Sequence, residues 1–144
     1  MRRAIFTVVF LLSVVGGSAF ADDFAIVRNA ANPSAQLAAS DVKDIYTGKK
    51  KEWPNGVPVQ LVLTGESSPE LGWLASSFFG ANARSLLSKI KQEVFKGEMQ
   101  KPISVENEAE TIEKLKNAKG GIGIVSAAAA KSLPSSVTTI QVTK

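Results

Sequence analysis

The 144-residue sequence contains no cysteine and no histidine. Without thiols there is no disulfide, no thiolate metal site and no cysteine nucleophile, so stability must come from packing. Without imidazole there is no histidine base, no Ser-His pair and no histidine-containing metal cluster. G-x-S-x-G, P-loop and dinucleotide-binding patterns are absent as well. The acids that could pair as catalytic carboxylates are Glu66 with Glu70, and Glu106 with Glu108 and Glu110. All stand where helices are expected to start, and there a carboxylate stabilises the helix dipole without any chemical role. A non-catalytic protein with no metal and no cofactor is therefore expected.

Long runs of one charge are also scarce. Lys49-Lys50-Lys51 is the one basic run, and its only aromatic neighbour is Trp53, a poor pattern for nucleic-acid binding. The run reads as a solvated loop or, with Trp53, as a contact surface for an acidic partner. The formal charge of +4 falls to +2 without Arg2 and Arg3. Those two arginines open a leader: an almost unbroken apolar run over residues 4–15, then Ala19-Phe20-Ala21 ahead of Asp22-Asp23. The run is shorter than the roughly 20 residues a bilayer span requires. Residues 1–21 are expected to be a signal peptide cleaved after Ala21, leaving a protein in the periplasm with no membrane span. The 123 residues that follow suit one domain, 22–144.

Along that stretch short apolar strands alternate with amphipathic helices, an α/β pattern with a mixed sheet of about four strands. Strands are expected at 24–27, 58–63, 122–125 and 137–142. Ser40 is the expected cap of a helix over 40–47 that presents Val42, Ile45 and Tyr46 inward and ends at Gly48. Leu71, Leu74, Ala75, Phe78 and Phe79 follow the i, i+3, i+4, i+7, i+8 spacing of a helix that stops at Gly80. Trp73 lies off that stripe. Leu86, Leu87, Ile90 and Val94 mark a further helix from Asn82 to Gly97, and Asn107 with Glu110 caps another before Gly120-Gly121. Gly121 and Gly123 share one strand face, where a helix or another stretch of backbone is expected to approach closely.

The turn Thr64-Gly65-Glu66-Ser67-Ser68-Pro69-Glu70 is the expected ligand site. Ser67 or Ser68 suits the N-cap, Pro69 the first helical position, and the unpaired N–H groups of the helix start favour an oxyanion such as phosphate. Thr64, Ser67 and Ser68 would donate hydrogen bonds, and Arg28 or Asn29 would close the cleft from a neighbouring strand end. Against this, Ser67-x-x-Glu70 is also a capping box, and Glu66 and Glu70 put two negative charges at the site.

The segment Asp44-Ile45-Tyr46-Thr47-Gly48-Lys49, followed by Trp53-Pro54-Asn55-Gly56, resembles the second lobe of the phosphate-binding proteins of ABC transporters. Phe24-Ala25-Ile26-Val27-Arg28-Asn29 with Asn32-Pro33 is similar to that family's preceding strand and loop, and Gly120-Gly121-Ile122-Gly123-Ile124-Val125-Ser126 to a later strand. The likeness runs over roughly residues 24–130. It implies one lobe of a type II periplasmic binding protein, a phosphate-like ligand, and an ABC transporter permease or another periplasmic protein as partner. The family's turn carries an Arg, an Asp and a Ser-Gly-Thr. Here Ser67 matches the serine, whereas Leu63, Gly65 and Ser68-Pro69 stand at the other positions. A periplasmic interaction module that kept the lobe fold and lost its ligand is the alternative reading.

Overall fold

The computed structural model describes residues 23–143, so the expected signal peptide at 1–21 lies outside the described residues. Eleven elements follow one another: β1 (Phe24–Asn29), β2 (Gln36–Ala38), α1 (Ala39–Tyr46), β3 (Gln60–Leu63), α2 (Pro69–Phe79), α3 (Ala83–Phe95), β4 (Ile103–Ser104), α4 (Glu108–Asn117), β5 (Gly121–Ser126), α5 (Ala127–Ala130) and β6 (Val137–Thr143). The strands form one mixed sheet in the order β2-β6-β1-β5-β3-β4. β3 runs parallel to β4 and β5, and β2 parallel to β6, while β1 is antiparallel to both of its neighbours. The sheet thus has two more strands than the hydrophobic pattern predicts. β2 and β4 are three and two residues long, too short to show a period.

Helices cover both faces of the sheet, which explains why β1 and β5 are buried almost throughout rather than at every second residue. Side chains still alternate between two cores. Ile26, Leu61, Leu63, Ile122, Ile124 and Ile140 face α1, α2 and α3, whereas Val27, Val62, Val125 and Val137 face α4 and α5. Trp73 is half-buried on the first side, its ring 5.8 Å from those of Phe24 and Phe78.

Most helix ends lie where the capping residues predict. Asn82 accepts from Ser85 N–H at 2.9 Å, Asn107 from Glu110 N–H at 3.0 Å, and Gly80 closes α2 in the left-handed conformation. α1 differs: Ser40 lies inside the helix, and its start is capped by Asp41, whose carboxylate accepts from Ala38 N–H at 3.1 Å. The basic loop after α1 is exposed at Lys49 and Lys51, and Lys51 pairs with Glu98 at 2.9 Å, which holds the Glu98 carboxyl below its usual range. Trp53 is not part of that surface. It is 2% exposed and donates from Nε1 to the Gly120 carbonyl at 2.9 Å, so a contact surface that includes its ring is ruled out. No described helix is long and apolar enough to cross a membrane.

Gly121 and Gly123 admit α4 to the sheet at close range. A Cβ on Gly123 would lie 2.6 Å from the Thr111 methyl, nearer than side chains approach one another. Gly123→Ala is therefore expected to cost about 1–3 kcal/mol by overpacking. Thr111→Ser, which removes the clashing methyl, should restore part of that loss; urea midpoints of the two single variants and the double variant measure the coupling.

Tyr46 is the only tyrosine in the chain and has no exposed surface; its hydroxyl has no hydrogen-bond partner among the described residues. Burial pushes its phenol pKa upward. The neutral phenol thus contributes stability below the ordinary tyrosine value of about 10, and that contribution is lost as pH rises above it. Phenolate absorbance should appear only together with alkaline unfolding. Tyr46→Phe should shift that unfolding to higher pH and leave neutral-pH stability within about 1 kcal/mol of the parent.

Candidate functional site

β3, β4 and β5 all end at the same edge of the sheet, so the loops that follow them converge. After β3 the chain makes the turn 64–68 and enters α2; after β4 it passes Val105 and Glu106 into α4; after β5 it enters α5 directly at Ser126. Serine and asparagine cap each start: Ser68 accepts from Leu71 N–H (3.3 Å), Asn107 from Glu110 N–H, and Ser126 from Ala129 N–H (3.1 Å). Ligands of open α/β sheets bind beyond such carboxyl ends.

Between the starts of α2 and α4 lies a cleft of about 630 Å³, bounded by Ser67, Ser68, Glu70, Glu106, Asn107 and Glu108. The helix starts aim their positive ends at it. At α2, Pro69 has no N–H, and that of Leu71 is taken by Ser68. The N–H of Glu70 is the one left without an intrahelical acceptor. At α4 the N–H groups of Glu108 and Ala109 are left without an intrahelical acceptor, and Glu108 is the one that lines the cleft. An oxyanion in the cleft would have the N–H groups of Glu70 and Glu108 and the Ser67 hydroxyl.

Carboxylates oppose that gain. Glu66 swings out to Arg84 at the start of α3, with Nε to Oε1 at 2.8 Å, and this pairing raises the Arg84 pKa above its ordinary value. Glu108 accepts from Ser126 N–H at 2.8 Å, and Glu110 from Glu106 N–H at 2.9 Å. Glu70 and Glu106 line the cleft, and their carboxylates have no such tie among the described residues. The capping box Ser67-x-x-Glu70 does not form, because Ser68 is the cap and Glu70 falls at the second helical position. Among the described residues no group of acids is arranged to hold a metal ion.

The residues singled out in the sequence separate into two places. Ser67 is exposed at the cleft, and Ser68 shares a 2.6 Å hydrogen bond with the buried Thr64 hydroxyl just below it. Arg28 and Asn29 do not join them. β1 is antiparallel to β5, with Phe24 opposite Ser126 and Arg28 opposite Ile122, so the end of β1 lies at the far edge of the sheet. Both side chains make hydrogen bonds to backbone carbonyls there. Asn29 donates to the Leu115 carbonyl at the end of α4 (2.6 Å), and Arg28 to the Asn32 carbonyl in the loop before β2. Leu63, standing where the resemblance would put an arginine, is 7% exposed and packs in the core. Sequence reasoning missed Arg84, Glu106 and Asn107 as neighbours of the turn: the packing of α3 on α2 returns Arg84 to Glu66, and the parallel pairing of β3 with β4 brings in the loop with Glu106 and Asn107.

No curated protein matches the chain by sequence. Among solved structures, an ABC-type phosphate transport receptor from Vibrio cholerae superposes with a TM-score of 0.62 at 20% identity, over 84% of this chain and 46% of that one. A putative phosphate ABC transporter substrate-binding protein from Clostridium perfringens, solved with bound phosphate, gives 0.63 at 20% identity over 84% and 45%. A possible phosphate binding protein from Planctomyces limnophilus gives 0.64 at 15% identity over 85% and 42%. The chain spans less than half the length of each, and its sheet and helices have the fold of one PBP-like lobe. The family model described as the PBP superfamily domain matches residues 18–143, and over that nearly complete span the chain belongs to the PBP superfamily.

Proposed function

We propose that this chain is an exported, non-catalytic binding protein of the phosphate-transport type, and that the cleft between α2 and α4 takes phosphate or a similar oxyanion for an ABC transporter permease. One observation carries the reading. Two capped helix starts open on one cleft at the carboxyl edge of parallel strands, with Ser67 and the N–H groups of Glu70 and Glu108 around it. The fold of proteins described as phosphate receptors, one of them solved with phosphate, supports the choice of ligand. The leader at 1–21 supports export to the periplasm.

A second reading rests on Leu63 and on the two untied carboxylates. With a core leucine in place of a cation and with Glu70 and Glu106 at the cleft, the lobe would serve as a periplasmic interaction module that no longer binds an anion. Its contact surface would then be the exposed lysines of the loop after α1, without Trp53.

Calorimetric titration with phosphate at controlled salt decides between them. Binding should weaken several-fold in Ser67→Ala without a change in melting temperature, because Ser67 caps nothing. Ser68→Ala should in addition cost about 1 kcal/mol of stability through the lost cap. If millimolar phosphate changes neither the heat nor the melting temperature, the receptor reading fails and the module reading stands.

The carboxylates supply an independent check. Each contributes about 1 kcal/mol of repulsion toward an anion at 4 Å in water, so Glu70→Gln with Glu106→Gln should tighten phosphate binding at low ionic strength. The gain should shrink as salt is raised toward 1 M, where the screening length falls to about 3 Å. Equal affinity for phosphate in the parent and the double variant at low salt would place the ligand elsewhere.

A further inference from the structure

Next to the polar cleft, on the other side of the loop after β4, a second cavity of about 500 Å³ opens between α3 and the edge strand. We propose that it is a binding site for an amphipathic organic monoanion, with the apolar body among Leu63, Leu87, Ile90, Val94 and Val105 and the carboxylate at the rim with Lys91 and Lys101.

Size and lining come first. The volume falls in the roughly 300–1,000 Å³ range of small-molecule sites, and the walls are mainly aliphatic with a few polar groups, as such sites require. The charge on the lining is the second observation. It contains two lysines and no carboxylate, whereas the cleft next door contains Glu70, Glu106 and Glu108. Neither lysine takes part in an ion pair among the described residues. Lysine stems lie along apolar surface while their ammonium groups stay at the water boundary, a suitable place for the head of an amphiphile. The third observation is Phe95 at the mouth, 93% exposed at the last position of α3. A large aromatic ring in water beside an apolar cavity gains by folding over an apolar occupant.

Other occupants fit less well. Inorganic phosphate would leave the aliphatic walls unused. An extended peptide adding to the sheet would meet a two-residue edge strand preceded by Pro102, which has no N–H to offer, and by Lys101, both devices that blunt an edge. A neutral apolar molecule would gain nothing from the two ammonium groups at the rim.

The test compares decanoate with decanol, equal in chain length and different in charge, by calorimetry and by displacement of anilinonaphthalene sulfonate from the purified protein. Decanoate should bind more tightly than decanol at low salt. Lys91→Gln with Lys101→Gln should weaken decanoate by roughly fivefold or more and leave decanol unchanged. Val94→Trp, at a half-buried wall position, should abolish binding of both, and Phe95→Ala should weaken both. Methyl shifts at Leu63 and Val105 on adding decanoate to the parent protein locate the site without any variant. Equal binding of the two probes, failure of both to bind, or unchanged decanoate affinity in the lysine variant would overturn the proposal. Competition by millimolar phosphate would also overturn it, by placing the probe in the polar cleft. The proposal does not depend on phosphate binding, so failure of one leaves the other standing.

Discussion

The carbonyl of Gly120 is the point on which the arrangement of the sheet depends. It accepts two hydrogen bonds, from the Trp53 indole at 2.9 Å and from the Gln60 backbone at 2.8 Å. The first anchors the loop between α1 and β3, and the second sets the register in which β3 joins β5. A side chain could not be accommodated there, since a Cβ on Gly120 would fall 1.8 Å from the Pro58 carbonyl oxygen. One residue further on, the strand passes beneath α4 at positions that likewise leave no room for a methyl group. A buried carbonyl that satisfies an indole and an amide together holds three segments in one geometry, because an unpaired donor in that interior would cost its full desolvation energy.

From that register the site follows. With β3 in place beside β5, and β4 beside β3, three chain segments leave the sheet at one edge and two helices of at least ten residues begin there. Their dipoles favour an anion, and the carboxylates between them disfavour it. Part of that conflict is resolved within the lobe, since Arg84 draws Glu66 away and backbone N–H groups hold Glu108 and Glu110. The balance left at the cleft therefore rests mainly on Glu70 and Glu106. The neighbouring cavity has the opposite character, aliphatic with lysines and no acid. The same edge of the lobe presents two chemically distinct recesses separated by one loop.

The far edge of the sheet shows how the same residue types serve structure. Asn29 and Arg28 are polar, buried and near a strand end, the usual profile of ligand contacts, yet their hydrogen bonds close the end of α4 and the loop before β2. Asn29 also accepts from Ala31 N–H at 2.8 Å, and Asn32 from Ser34 N–H at 2.9 Å, so both amides shape their own turns.

Local chemistry was enough for the sequence by itself to determine the α/β class, the helices with their inward stripes, the start of α3 near Asn82, the cap at Asn107, the glycines that follow α1, α2 and α3, and the close approach at Gly121 and Gly123. Each of these depends on residues within one or two turns or on one strand's alternation. The tertiary structure alone decided the two short strands, the burial of Trp53, the cap of α1 by Asp41, and the reversed direction of β1 that removes Arg28 and Asn29 from the cleft. Strand direction and order are set by pairings between residues dozens of positions apart. A hydrophobic pattern reads the same in either direction, so it says which side chains face inward but not which strand ends meet.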